Sequence, residues 1–139
     1  LFPYTTLFRS QPLLVRMESD IIPLFEACVD GTLDQCSLNW KDETSVCVVM
    51  AAAGYPESYE KGKPISGLKE ANALSGVVVF HAGTKKQEDK VLTHGGRVLG
   101  VTATGKDTAT AIARAYEAVD KIKWDGIHFR KDIGHRASS

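Results

Sequence analysis

Val77-Val-Val-Phe-His-Ala-Gly-Thr-Lys-Lys-Gln-Glu-Asp-Lys-Val-Leu-Thr-His-Gly-Gly-Arg-Val-Leu-Gly-Val-Thr102 decides the fold class of this 139-residue chain. Its β-branched run Val77–Ala82 reads as a strand, Lys85–Lys90 as a charged connector, and Val91–Thr93 as a short returning strand. Gly95-Gly96 then punctuates the chain before another strand, Arg97–Thr102. Strands that follow one another across connectors this short pair antiparallel, because a parallel crossover needs a dozen residues or more.

Working outward, Ser45–Met50 is a further buried strand that Ala51–Ala53 prolongs, ended by Gly54-Tyr-Pro56. Residues 57–64 are polar and loop-like, with a short helix around Leu68–Leu74. On the C-terminal side, Asp107 or Thr108 caps the longest helix. Its apolar residues Ile112, Ala115, Tyr116, Val119 and Ile122 recur at three- and four-residue intervals, and Gly126–Arg130 reads as one more strand. Nearer the N-terminus, Ser19 or Asp20 starts a helix with a stripe at Ile21, Leu24, Phe25 and Cys28, widened by Ile22 and Val29 and stopped by Gly31. Pro23 is tolerated in its first turn. Strand pairs followed by one main helix predict an α+β layer: an antiparallel sheet with one packed helix.

Composition is that of an ordinary globular chain, 43% hydrophobic and 24% charged. Formal charge is zero but uneven. Residues 1–60 hold three Lys/Arg against nine Asp/Glu, and the remainder holds fourteen against eight. A basic C-terminal portion suits a phosphorylated small molecule, although a solvated lysine-rich surface has the same composition. Cys28, Cys36 and Cys47 form no C-x-x-C pair, which fits a reducing, cytoplasmic location better than a disulfide scaffold or a zinc site. The apolar runs are too short to span a membrane, and basic residues do not interleave with aromatic ones, so neither a membrane nor a nucleic-acid partner is expected.

Four segments carry a resemblance: Met50-Ala-Ala-Ala-Gly-Tyr-Pro56, Val79-Phe-His-Ala-Gly-Thr84, Gly95-Gly-Arg-Val-Leu-Gly-Val101 and Phe129-Arg-Lys-Asp-Ile-Gly-His-Arg-Ala137. In this order and at these spacings they resemble the C-terminal domain of the phosphoribosylamine–glycine ligase (glycinamide ribonucleotide synthetase) family of ATP-grasp enzymes. The resemblance reaches back to Gln11, which looks like the end of that family's Asp-Pro-Glu-Thr-Gln signature. It implies a parent ligase that joins glycine to 5-phosphoribosylamine in purine biosynthesis. ATP and Mg (or Mn) would serve as its cofactors, and an acyl phosphate on glycine's carboxylate would be displaced by the amine. It also implies the family's curved antiparallel sheet over residues 42–139 and a terminal helix of the ATP-grasp domain within 11–41. Leu1–Ser10 bears no likeness to the family and is set aside as a non-native leader. Because the family's metal-binding Glu and Asn would precede Gln11, no metal ligand and no catalytic residue is assigned. This fragment is expected to bind no cofactor and to be inactive alone. The rival readings are the C-terminal domain of another ATP-grasp enzyme, disfavoured by His-Ala-Gly-Thr in the second segment and Asp-Ile-Gly-x-Arg-Ala in the fourth, and a non-catalytic interaction module.

Six residues are candidates for lining a substrate cleft. Gly95, Gly96 and Arg97 combine backbone freedom with a guanidinium that forks onto phosphate or carboxylate. The motif is not a phosphate-binding Walker loop, and a hairpin turn with a solvent-facing arginine has the same sequence. His81 ends a strand, where it either faces a ligand or is a hydrogen-bonded structural residue. Arg130 and Arg136 flank Asp132 and Gly134, and either line the cleft or pin the tail through an Arg–Asp pair.

Overall fold

The computed structural model describes residues 6–137, with side chains from Ser10 onward except that of Arg136. Six strands form two sheets: β1 (Thr44–Ala52), β2 (Val77–His81), β3 (Thr84–Gln87), β4 (Lys90–Thr93), β5 (Arg97–Gly105) and β6 (Ile127–Phe129). The main sheet has the order β2-β5-β1-β6 and is antiparallel throughout. β5 is its central strand, paired with β1 along its whole length and with β2 over Val77–His81.

Helix α4 (Thr108–Lys121) covers one face of this sheet. Asp107 caps it, Oδ1 accepting from the Thr110 N–H at 2.7 Å. Ala111, Ala115, Ala118, Val119 and the following Ile122 are buried against Val46, Val48, Met50, Leu99, Val101 and Ala103 of the sheet. Alanines on the helix let its axis approach the strands closely, and the valines and Leu99 of the sheet pack beneath it. The short helix α3 (Leu68–Asn72) extends this layer, packing on α4 and β2, and Asn72 Oδ1 accepts from the Val79 N–H at 3.0 Å.

The Lys85–Lys90 segment departs from its expected role as a bare connector. Thr84–Gln87 pairs with Lys90–Thr93 as a separate two-stranded ribbon, whereas β2 pairs with β5. Lys85, Lys86 and Gln87 of β3 are all exposed, so this strand has no alternating apolar signature, while Val91–Thr93 of β4 are partly or fully buried. Residues 62–65 run beside it, with Gly62 N–H bonding Thr93 O and Ile65 N–H bonding Val91 O.

The N-terminal portion holds α1 (Thr6–Leu14), α2 (Ile21–Asp30) and a 3₁₀ turn at Leu33–Gln35. α2 begins at Asp20, whose Oδ1 accepts from the Ile22 N–H at 2.9 Å, and ends at Gly31. The apolar stripe expected to bury this helix stays largely in the open: Ala27 alone is buried, while Phe25 is 58% and Val29 87% exposed. The helix touches little beyond the adjoining 3₁₀ turn, so propensity and capping shape it rather than packing. α1 was not foreseen, and it runs across the boundary expected at Ser10. Leu1–Thr5 of the presumed leader lie outside the described residues.

The tail is tied down by one phenol. Tyr116 Oη–H donates to Arg130 O at 2.8 Å, and the same oxygen accepts from the Ile133 N–H at 3.0 Å.

Candidate functional site at the β2–β5 sheet margin

The end of the sheet where β2 finishes and β5 begins brings four of the six candidates together. Gly83 donates to Arg97 O at 2.9 Å, and His94 and Gly95 both donate to Gly83 O, at 2.7 and 3.0 Å. Ala82 donates to Val98 O and Ala52 to Gly96 O. The backbone of residues 95–97 is therefore gripped from both sides, by residues 82–83 and by the end of β1.

Two glycines make this grip possible. A Cβ on Gly83 would lie 2.6 Å from the Gly95 Cα, and one on Gly95 would lie 2.9 Å from the Gly83 Cα. No side chain fits between them, so the need is for close approach. At Gly96 a Cβ would meet the Tyr55 ring at 2.1 Å; Tyr55 and Tyr59 stack here at a 6.3 Å centroid distance, tilted by 59°. Arg97 is half-buried at the first position of β5, and its main chain is fixed. Its guanidinium presents a planar fork of donors of the kind that matches a carboxylate or phosphate.

His81 closes β2 on the neighbouring strand. It is exposed, and its Nδ1 lies 3.1 Å from Thr84 Oγ1. It also borders a groove of about 710 Å³ between α3 and the β3–β4 ribbon, walled by Leu68, Asn72, Lys90 and Val91. Beside the margin lies a smaller hollow of about 170 Å³ between Ala52, Thr93, Trp124 and Gly126. Lys63 on its wall bridges Glu60 Oε2 at 2.7 Å and Asp125 Oδ2 at 3.2 Å. The Glu60 hydrogen bond, with Asp125 behind it, raises the Lys63 ammonium above its usual pKa.

Arg130 stands apart from this group. It follows β6, the opposite edge strand from β2, three strand spacings or roughly 14 Å from His81 across the sheet. Its Nε donates to Asp132 Oδ1 at 2.9 Å and its Nη2 to Asp132 Oδ2. This hydrogen bonding holds the Asp132 carboxyl below its usual range and raises Arg130. An Arg–Asp pair is thus present, but both partners are exposed residues of the tail, so it braces the tail locally and the tie to the domain comes from Tyr116. Arg136 lies in a 3₁₀ turn, His135–Ala137, and its side chain is outside the described residues. No local pattern marks Tyr55, Tyr59 or Gly83 as partners of the Gly-Gly-Arg motif, because the contacts join turns and loops from separate segments of the chain. Glu60-Lys-Gly-Lys63 signals a local pair, but nothing in it points to Asp125.

The profile of the phosphoribosylglycinamide synthetase C domain matches residues 45–136, which take in the whole main sheet, α4 and this margin. The chain belongs to this family. Phosphoribosylamine–glycine ligase of Synechocystis is 53% identical over 129 residues, covering 92% of this chain and 30% of that protein. The Brucella melitensis protein of the same name is 46% identical, covering 99% of this chain and 33% of its own length. The crystal structure of phosphoribosylamine–glycine ligase from Thermotoga maritima superposes with a TM-score of 0.61 at 32% identity, over 78% of this chain and 27% of that one. The chain therefore spans about a third of the length of the curated relatives it matches. Its α+β fold, an antiparallel sheet with one packed helix, is that of the family's C domain.

Among the described residues no three His, Cys, Asp or Glu side chains come together as metal ligands would. No helix among them is long and apolar enough to cross a membrane. Cys28, Cys36 and Cys47 are all free thiols.

Proposed function

We infer that this chain is the C-terminal part of a phosphoribosylamine–glycine ligase that uses ATP to join glycine to 5-phosphoribosylamine in the cytoplasm. The family match over residues 45–136 carries the reading. It coincides with the unit that buries the core, while 11–41 lies before it as the end of the preceding ATP-binding domain. The reaction develops negative charge twice: when the γ-phosphoryl group reaches glycine's carboxylate, and when the amine displaces phosphate. Stabilising such charge calls for cationic donors fixed beforehand. Arg97 meets that requirement best in this chain, held by Gly83 on one side and followed by buried Val98 and Leu99. Gly95 and Gly96 keep the backbone next to it bare, and His81 lies on the neighbouring strand end. In this reading the C domain closes the cleft around the substrates, and the bond chemistry takes place on the nucleotide side.

Two measurements test it. The intact gene, expressed and supplied with glycine, 5-phosphoribosylamine and MgATP, should form glycinamide ribonucleotide; absence of product would overturn the ligase reading. The 139-residue chain titrated calorimetrically with MgATP should give no binding heat, and micromolar binding would place the nucleotide site within this chain instead.

A further inference from the structure

Gln11 is an amide in a helix whose neighbours Leu13 and Leu14 are half in solvent, yet it is only 8% exposed. Its side chain lies across the face of the sheet opposite α4, over Gly100 of β5. A Cβ at Gly100 would come within 2.1 Å of Gln11 Oε1 and 3.1 Å of Nε2. Cys47 of β1 donates its S–H to the same Oε1 at 3.2 Å, and Ser45 Oγ–H donates to the carbonyl of Pro12. The bare backbone of Gly100, flanked by Val49 on β1 and Phe80 on β2, is thus a gap in an otherwise side-chain-covered sheet surface, and Gln11 fills it. A leucine would fill the same volume, but an amide has a polar end that must meet a donor, so it fits in one orientation.

We propose that Gln11 is a positioning residue. Seated in the gap at Gly100 and capped by the Cys47 thiol, it fixes α1 against β5, three residues along the strand from Arg97. α1 is thereby held in one register with the Arg97 margin. For its catalytic consequence this rests on the ligase reading above; the seat itself does not.

Cys47 reports on the seat directly, with Cys28 and Cys36, both exposed, as internal references. In the 139-residue chain, Gly100→Ala puts a methyl where the amide lies and should lift α1. A disulfide reagent followed by peptide mapping should then modify Cys47 about tenfold faster, with the two reference thiols unchanged. Gln11→Ala should also uncover Cys47, and adding Gly100→Ala to it should produce no further gain, because the methyl no longer meets anything. Unchanged Cys47 labelling in Gly100→Ala, with circular dichroism showing a folded chain, would overturn the seat. In the intact enzyme, Gln11→Ala should lower kcat about tenfold while leaving KM for glycine and the melting temperature nearly unchanged. Wild-type kcat in that variant, with Cys47 uncovered, would overturn the positioning role. An inactive wild-type enzyme would remove the ligase reading while leaving the labelling cycle to decide the seat.

Discussion

Residues 45–136 and residues 10–41 contain comparable apolar side chains and bury them to opposite degrees. In the first, Val48, Met50, Val98, Leu99, Val101, Val119 and Ile122 are wholly inaccessible. In the second, Leu13, Leu14, Ile22, Phe25, Val29 and Leu33 are all substantially exposed, and Gln11, a polar residue, is buried almost as deeply as Ala27. The hydrophobic effect is proportional to area removed from water, so stability in this chain belongs almost wholly to the sheet and α4. The N-terminal helices owe their shape to caps and to the Gln11 and Pro12 contacts. Helical periodicity in a sequence shows that a face is apolar, and it does not show what covers that face.

The contrast is easiest to break at its strong side. Leu99→Ala empties the centre of the sheet–helix layer and should cost about 2–5 kcal/mol in chemical denaturation; a cost under about 1 kcal/mol would mean that the core lies elsewhere. Arg97→Ala should separate function from stability. In the intact enzyme kcat/KM should fall roughly tenfold, about 1.4 kcal/mol of transition-state stabilisation, with the melting temperature held. A parallel fall in melting temperature would return Arg97 to a structural role. A smaller effect belongs to the α4 cap. Hydrogen bonds from Thr110 lower the Asp107 pKa, so the folded state binds that proton less readily than the unfolded chain does. The cap's contribution is complete above the ordinary Asp value of about 3.9 and fades as pH falls through the lower folded value. Asp107→Asn should flatten the acid limb of a stability-versus-pH curve, and an unaltered limb would show that Asp107 does not govern it. Smallest of all, Phe25→Ala and Val29→Ala should each change the stability of this chain by no more than about 0.5 kcal/mol. Core-like losses at either position would erase the contrast between the two regions.

Much of the C-terminal unit was legible from the sequence because its period matched its burial. Val46, Val48 and Met50 alternate along β1, and Val119 and Ile122 follow helical spacing on α4. Asp20 and Asp107 announced both helix starts. β5 was legible as a strand, but its burial on both faces was not. Gly100, Thr102 and Thr104 carry no apolar signal, and they are covered because β5 is central and because Gln11 and residues from β2 and β1 close over them. Val91–Thr93 was legible as the returning strand β4, whereas its partner β3 was not, because Lys85, Lys86 and Gln87 carry no apolar signal. At the site, Gly95-Gly96-Arg97 stood out as a motif, and Gly83 and Tyr55 lay within segments that carried the resemblance, but their contact with Gly95 and Gly96 was not legible. It follows from turns that the fold brings together from separate parts of the chain, and no local pattern encodes that meeting. The pairing of Arg130 with Asp132 was legible because the two are neighbours in sequence.

The pairing of β1 with β5 has a consequence for synthesis. Between Ala51 and Arg97 the ribosome must deliver β2, α3 and the whole β3–β4 ribbon before the central strand exists. β6, the other partner of β1, comes later still. Val46, Val48 and Met50 therefore leave the exit tunnel with neither neighbour available, and loop closure over so long an interval makes sheet assembly slow compared with helix formation. During that interval β1 is an unpaired apolar strand on the nascent chain, the sort of segment that chaperones hold and that aggregates when they do not.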